Sequence, residues 1–227
     1  MMKQRVGIIG SGFIGKGLVN ALHLFNDIEV TKVLTRSRVD TRGDYRYPDL
    51  LTHSDDEVIA HADVIVECTG DVLFGTDMIA KVMEAGIPVV TMNTELQVTT
   101  GSYFAKRGYI TEAEGDQPGC LAALRENVLQ MGFEPLVFGN IKGFLNPNPS
   151  PKDMLYWSNR NKISLEMVTS FTDGTKVEFE QTLVANGLNT KFLPSGIMGI
   201  SEEDLQEGAN ALAIEADQLG CPISDYV

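Results

Sequence analysis

The stretch that decides the fold is Val6-Gly7-Ile8-Ile9-Gly10-Ser11-Gly12-Phe13-Ile14-Gly15. Its apolar first part predicts a short buried strand, and its last part predicts the start of an amphipathic helix. In this G-x-G-x-x-G pattern Gly10 allows a tight turn, Gly12 lets a pyrophosphate approach the backbone, and Gly15 lets the helix pack closely on the strand. The helix start then attracts the anion. We expect a dinucleotide site that includes Gly10, Gly12, Phe13, Ile14 and Gly15; the alternative is a tight turn without a ligand.

The composition is that of a soluble globular protein. The chain has 227 residues, 43% of them hydrophobic and 22% charged. No apolar run approaches the roughly eighteen residues of a membrane span, and the first strand follows the amino terminus directly, without a signal sequence. Cys68, Cys120 and Cys221 are far apart, which predicts reduced thiols. The net charge of −13 argues against nucleic acid. We therefore expect a cytoplasmic protein without membrane or nucleic-acid partners.

Apolar runs alternate with helical patterns along the first half of the chain. Such alternation predicts a doubly wound parallel α/β sheet of the Rossmann type. The expected strands are residues 6–9, 28–34, 63–68, 87–92 and 109–111, and the expected helices include residues 13–25, 72–85 and 102–107.

The residues after the second strand bear on the choice of cofactor. A protein that binds NAD has Asp or Glu about twenty residues past the glycine turn, where the carboxylate binds the ribose 2′-hydroxyl. Here Thr35, Arg36, Ser37 and Arg38 occupy that region, with no carboxylate to repel a 2′-phosphate. Two guanidinium groups and two hydroxyls favour such a phosphate. The turn predicts NADPH rather than NADH; the alternative is a solvated basic turn.

Two further loops follow expected strands. Thr69 and Gly70 come after the strand that ends at Cys68, and Asn93 comes after the strand that ends at Met92. Loops at the carboxyl ends of parallel strands face the ligand crevice, so we expect them along the cofactor. Asn93 is a candidate contact to the nicotinamide end, or else a turn residue with an unusual backbone conformation.

An acidic loop precedes the next expected helix. Glu114 and Asp116 lie in the run Glu112-Ala113-Glu114-Gly115-Asp116-Gln117-Pro118-Gly119. Glycine and proline stiffen such a loop, which then places carboxylates for a divalent ion or a substrate hydroxyl. The alternative is a solvated acidic surface.

Basic side chains mark the second half of the chain. Lys142 lies in a loop after an expected strand, where an ammonium group stabilises a carbonyl oxygen that becomes an alkoxide. Lys176 follows Asp173 at the expected start of a helix, a position that suits an anion. Asp173, Lys142 and Lys176 are therefore candidate catalytic residues; the alternatives are a surface lysine at 142, and at 173 a helix cap with Lys176 in solvent.

The sequence resembles the homoserine-dehydrogenase-like oxidoreductases, a family that includes the deoxyxylulose-phosphate-reductoisomerase-like enzymes. The resemblance covers nearly the whole chain. The motifs that carry it are Gly10-Ser11-Gly12-Phe13-Ile14-Gly15, Glu67-Cys68-Thr69-Gly70, Met92-Asn93-Thr94-Glu95, Gly115-Asp116-Gln117-Pro118-Gly119 and Ser170-Phe171-Thr172-Asp173-Gly174-Thr175-Lys176. It implies a Rossmann domain over residues 1–111 and an α+β catalytic and dimerisation domain over 112–227. Many members carry a further carboxyl-terminal domain, so we expect a short or truncated member that forms a homodimer.

One motif departs from the family pattern. Thr94 and Glu95 stand where homoserine dehydrogenases carry the lysine of an Asn-Lys motif. We therefore expect an NADPH-dependent oxidoreductase that reduces the carbonyl of a small phosphorylated compound, and the resemblance implies a preceding isomerisation. The alternatives are a homoserine-type dehydrogenase and a dinucleotide-binding sensor or assembly subunit without turnover.

Overall fold

The computed structural model describes residues 3–39, 43, 45–114 and 117–227. The chain divides into two compact units, Met1–Ala113 and Glu114–Val227. The division falls close to residue 111, where the sequence pattern changes.

A six-stranded sheet forms the centre of the first unit. Its strands are β1 (Gln4–Ile9), β2 (Ile28–Leu34), β3 (Leu51–Thr52), β4 (Val64–Glu67), β5 (Val89–Thr91) and β6 (Ile110–Glu112). They lie in the order β3-β2-β1-β4-β5-β6, and every neighbouring pair is parallel. The strand order reverses between β1 and β4, and ligands bind at such a reversal in doubly wound sheets. The predicted fold class is confirmed.

Helices connect these strands. They are α1 (Phe13–Leu22), α2 (Asp55–Ala60), α3 (Val72–Glu84), α4 (Thr94–Leu96) and α5 (Ser102–Phe104), with a π-helical turn at Gln97–Gly101 between the last two. The expectation that α1 reaches Phe25 was wrong. The N–H of Leu24 donates to the carbonyl of Ala21, so the chain turns after Leu22 and leaves Phe25 exposed.

Apolar side chains pack on both faces of the sheet. Ile65, Ile79 and Leu96 are completely buried in one cluster, and Ile8 and Val33 are completely buried in the other. Strands that are covered on both faces need continuous apolar runs rather than alternating ones. The sequence pattern at β1 and β4 therefore follows from their central place in the sheet.

The second unit is mostly helical. Its elements are α6 (Gln117–Gln130), β7 (Val137–Asn140), α7 (Pro151–Asn161), α8 (Leu165–Thr172), α9 (Thr175–Leu188), α10 (Leu205–Leu219) and β8 (Ile223–Tyr226). β7 and β8 form a parallel pair. The buried side chain of Gln181 on α9 donates to the carbonyl of Asp225 at 2.6 Å, which fixes this helix to β8. Within the described ranges, no helix combines the length and hydropathy that a membrane span requires.

One part of the second unit differs from the expectation. The run Pro147-Asn148-Pro149-Ser150-Pro151 predicts a loop, yet Pro151 begins α7 behind the N-cap Ser150. Proline fits the first position of a helix, because the N–H that it lacks has no partner there. The segment Ser170–Thr172, part of a motif quoted above, forms the end of α8. The helix therefore ends at the Asp173-Gly174 pair that precedes α9.

Close packing of α1 against the glycine turn generates a stability prediction. A Cβ atom on Gly15 would lie 1.9 Å from the carbonyl oxygen of Gly10, whereas no described atom lies within 4 Å of one on Gly17. We expect Gly15→Ala to destabilise the protein by about 1–3 kcal/mol, because backbone must move. Gly17→Ala, in the same helix, should stabilise it by about 0.5–1 kcal/mol. Urea unfolding measures both, and equal stability of the two variants would contradict the close contact.

Candidate functional site

A cleft of about 200 Å³ opens at the carboxyl ends of β1, β2 and β4. This is the place where the strand order reverses. Six of the residues predicted to bind the cofactor line it: Gly10, Gly12, Thr35, Arg36, Ser37 and Thr69. The other lining residues are Ser11, Leu34, Cys68 and Phe74.

The glycine turn has the geometry that a dinucleotide requires. Gly10 has φ +114°, and a Cβ atom there would lie 2.8 Å from the carbonyl oxygen of Cys68. Gly12 is the N-cap of α1, and no side chain caps this helix start. No described atom lies within 4 Å of a Cβ on Gly12. The backbone at Gly12 is therefore accessible to a pyrophosphate, and the glycine turn fits the predicted dinucleotide.

The predicted hydroxyl groups differ in their surroundings. The Thr35 side chain is buried, and its Oγ1 accepts hydrogen bonds from Ser11 Oγ at 2.7 Å and from the N–H of Ser37 at 3.2 Å. Ser37 itself is exposed. Thr35 thus joins the end of β2 to the glycine turn, while the Ser37 hydroxyl lies at the surface of the cleft.

A carboxylate lies next to Arg36, which the sequence argument did not foresee. Nη1 of Arg36 donates to Oδ2 of Asp71 at 2.9 Å, and the guanidinium lies 4.8 Å from the centroid of the Phe74 ring. Asp71 is the N-cap of α3, and its Oδ1 accepts from the N–H of Phe74 at 3.0 Å. The expectation that no carboxylate stands near the basic turn was wrong, because the loop after β4 brings Asp71 to the end of β2.

A buried carboxylate organises the loops beside the cleft. Glu67 is completely buried at the end of β4. Its Oε1 accepts from the N–H and the hydroxyl of Thr69 at 2.8 and 2.6 Å, and its Oε2 accepts from the hydroxyl of Thr91 at 2.7 Å. The Thr91 hydroxyl in turn accepts from the N–H of Asn93 at 3.0 Å. Glu67 therefore fixes two of the loops that were predicted to contact the cofactor.

Asn93 has a donor without a partner. The side chain is 2% exposed, and its Oδ1 accepts from the N–H of Leu96 at the start of α4. No described atom accepts a hydrogen bond from its Nδ2. A buried donor left unpaired costs about 1–3 kcal/mol, so it marks a position that a ligand oxygen could satisfy.

The remaining predicted cofactor residues do not line the cleft. Phe13 is 87% exposed and Ile14 is 42% exposed. Gly15 instead serves the packing of α1, and Gly70 is an exposed residue with φ +67° in the loop before α3. Arg38 is exposed next to the basic turn. Direct contact with a dinucleotide stays a prediction for these residues.

In the second unit the structure brings the two predicted lysines to one carboxylate. Glu180 on α9 is completely buried, and its Oε1 lies 3.2 Å from Nζ of Lys176 while its Oε2 lies 3.6 Å from Nζ of Lys142. Nδ2 of Asn140 donates to the same Oε2 at 3.3 Å. Both lysines keep partial solvent access, with 17% and 21% of the side chain exposed. We call Asn140, Lys142, Lys176 and Glu180 the lysine cluster.

Asp173 lies at the junction of α8 and α9. Its Oδ1 accepts from the N–H of Thr175 at 2.8 Å, and Gly174, with φ +93°, is the N-cap of α9. Asp173 thus satisfies one donor at this helix start without being its N-cap, and Lys176 does not lie in solvent as the alternative interpretation held. Lys176 lies beside it, with Nζ 5.2 Å from the centroid of the Phe171 ring.

The predicted metal ligands are only partly described. Glu114 is exposed, and Asp116 lies outside the described residues. Among the residues that the structure describes, no group of three or more His, Cys, Asp or Glu side chains could hold a metal ion. The divalent ion therefore stays a prediction.

Each half of the chain matches a protein-family model. Residues 10–106 match the NAD-binding domain of homoserine dehydrogenase, and residues 115–221 match the catalytic domain of oxidoreductase DRL. Over most of its length the chain is therefore similar to homoserine-dehydrogenase-like oxidoreductases. The resemblance to homoserine-dehydrogenase-like oxidoreductases that the sequence motifs indicated is confirmed, and the NAD-binding domain supports a nicotinamide dinucleotide as the cofactor.

The chain is also similar to solved structures, at low sequence identity. A homoserine dehydrogenase from Thiobacillus denitrificans is 22% identical with a TM-score of 0.49, over 57% of this chain and 34% of that chain. An NAD-binding protein from Listeria innocua is 18% identical with a TM-score of 0.48, over 80% of this chain and 55% of that one. This chain therefore spans about a third of the homoserine dehydrogenase. No curated protein matches the sequence significantly.

Sequence reasoning missed several residues of the two sites. Glu180 could have been found, because Lys176 and Glu180 are an i, i+4 pair on one helix. Asn140 and Asp71 gave no such signal, since each meets its partner only through the tertiary fold. Glu67 lies within a quoted motif, but nothing in the sequence shows that its side chain is buried.

The thiol beside the cleft generates a reactivity prediction for this oxidoreductase. Burial and, to a smaller extent, the charge of Glu67 raise the pKa of the Cys68 thiol to about 12. The thiolate is the reactive form, so Cys68 should resist iodoacetamide at pH 8, whereas the exposed Cys120 should react. Peptide mass spectrometry measures both sites, and denaturation in urea should make Cys68 reactive. Alkylation of Cys68 in the native protein as fast as that of Cys120 would contradict its burial.

Proposed function

We propose that this oxidoreductase uses NADPH to reduce the carbonyl of a small phosphorylated hydroxy-carbonyl compound. The first unit binds the dinucleotide along the cleft, and the second unit binds the anionic substrate at the lysine cluster. The chain spans only 34% and 32% of two homoserine dehydrogenases that it resembles, so the activity of the whole protein is a proposal.

The observation that carries the proposal is the lysine cluster. The chain has a net charge of −13, yet Lys142 and Lys176 share one carboxylate, Glu180. Glu180 thus lies between two ammonium groups that both keep partial solvent access. A buried carboxylate needs partners, so Glu180 holds both lysines in position. Two ammonium groups held close together within an acidic protein suit a phosphorylated substrate.

The cluster suggests a division of labour between the two lysines. NADPH, when bound, supplies a hydride to the carbonyl carbon. Lys142 would donate a hydrogen bond to the carbonyl oxygen and stabilise the alkoxide that forms. Lys176 and the start of α9, with Asp173 at its N–H groups, would bind the phosphate.

Several finer features belong to the same proposal. An isomerisation of the substrate would precede the reduction, as the resemblance to reductoisomerase-like enzymes implies. Glu114 and Asp116 would hold a divalent ion or relay a proton. The protein would act as a homodimer in the cytoplasm, with residues 112–227 as the catalytic and dimerisation domain.

Oxidation of homoserine is the second candidate function. The match of residues 10–106 to the NAD-binding domain of homoserine dehydrogenase favours it. The residues Thr94 and Glu95 argue against it, because they stand where homoserine dehydrogenases carry the lysine of an Asn-Lys motif. Thr94 is buried, and its hydroxyl donates to Glu112 at 3.3 Å. NADP-linked oxidation of homoserine distinguishes the two functions.

The basic turn generates a prediction about cofactor choice. We expect tighter binding of NADPH than of NADH, and Arg36→Leu should weaken NADPH binding by about 10-fold, because a charge-assisted hydrogen bond contributes about 1.5–3 kcal/mol. The matched control is Arg107→Leu, an arginine that stacks on Tyr103 and does not line the cleft. Fluorescence titration measures all four affinities. Equal or tighter binding of NADH by the unaltered protein would refute the preference for NADPH.

The lysine cluster generates a prediction about turnover. Lys142→Met should lower kcat at least about 100-fold, as expected for the loss of one oxyanion donor, and change the NADPH affinity less than about 2-fold. The control is Lys152→Met, an exposed lysine at the start of α7. NADPH oxidation is followed across a panel of phosphorylated hydroxy-ketones and hydroxy-aldehydes. Unchanged turnover would remove Lys142 from the mechanism, and NADPH binding without oxidation of any compound would favour a sensor.

A further inference from the structure

Arg36 and Asp71 meet at the rim of the cleft. Asp71 uses both carboxylate oxygens: Oδ1 accepts from the N–H of Phe74 at 3.0 Å, and Oδ2 accepts from Nη1 of Arg36 at 2.9 Å. The Phe74 ring supports the same guanidinium from its face. The two residues come from the ends of different strands, so the pair exists only in the folded first unit.

Asp71 is ionised at neutral pH. The hydrogen bond from the N–H of Phe74 lowers the pKa of its carboxyl group, and the guanidinium of Arg36 lowers it further. The N-cap position has the same effect, because the positive end of a helix dipole favours a negative charge. A fixed negative charge therefore lies beside the arginine that was expected to bind the 2′-phosphate.

The two cofactors respond differently to that charge. A phosphate monoester carries about −1.5 to −2 charges at pH 7, whereas the corresponding hydroxyl of NADH is neutral. Asp71 offsets part of the positive charge of Arg36 and repels the phosphate, but it has little effect on the hydroxyl. We propose that Asp71 is a specificity-determining residue that reduces the preference for NADPH over NADH. The proposal rests on the dinucleotide site of the proposed function.

An opposing effect is weaker. Asp71 also restrains the Arg36 side chain, which would help it to bind a phosphate. The pair is largely exposed, with 63% of the arginine and 36% of the aspartate side chain accessible, and exposed ion pairs restrain side chains weakly. The ring of Phe74 remains as a second support when the carboxylate is removed. Repulsion of the phosphate therefore outweighs the loss of restraint.

The test is Asp71→Asn in the full chain. Asparagine is as good an N-cap as aspartate, so the hydrogen bond to the N–H of Phe74 is kept while the charge is lost. We expect the ratio of NADPH affinity to NADH affinity to rise by about 3- to 10-fold, through NADPH alone. The gain should shrink between 50 and 500 mM NaCl, because salt screens exposed charges. A purely structural role would change both affinities together.

Matched variants keep the result interpretable. Asp204→Asn makes the same change at the N-cap of α10, where Asp204 accepts from Gln206 and Glu207, and it should leave the ratio unchanged. Asp71→Ser repeats the test with another good cap if the asparagine variant does not fold. An unchanged or lower ratio overturns the role of Asp71. A higher ratio in a protein whose unaltered form prefers NADH supports the role and refutes the proposed NADPH preference. If neither cofactor binds, both proposals fail.

Discussion

The close approach of α1 to the glycine turn is the constraint on which the first unit depends. Gly15 lies so near the carbonyl of Gly10 that a side chain on it would overlap the backbone. This contact fixes the start of α1 at the end of β1, between the ends of β2 and β4. Every residue that lines the cleft is placed relative to that point. The dinucleotide site is therefore a consequence of backbone packing before any side chain contributes to it.

Buried carboxylates fix the loops in both units. Glu67, Glu180 and Asp225 are completely inaccessible to solvent, in a chain whose net charge is −13. Glu67 accepts from hydroxyls and an N–H, Asp225 accepts from the N–H groups of residues 198, 199 and 226, and Glu180 lies between two lysines. Burial of such a group is tolerated only when its partners are held in place. Each carboxylate thus gives local order to the loops around it.

The same physical relation governs the charged residues of both candidate sites. The sequence indicated Arg36 and the two lysines as groups that bind the cofactor or the substrate, and each of them lies next to a carboxylate in the folded protein. At the cleft rim the pair is exposed, so Asp71 modulates the charge of Arg36. In the lysine cluster the carboxylate is buried, so Glu180 holds both lysines in position. The exposure of the acidic partner decides which of these effects is larger.

The sequence by itself determined the sheet, its glycine turn and most of the residues that line the cleft, because these depend on local apolar runs, helix starts and glycine spacing. It also indicated Lys142 and Lys176 as candidate site residues. The tertiary structure alone decided that these lysines share Glu180, that Asp71 lies against Arg36, and that β8 pairs with β7. Side chains separated by tens of residues meet only when the elements pack. Local patterns predict which element carries a charged side chain, whereas packing decides which opposite charge lies next to it.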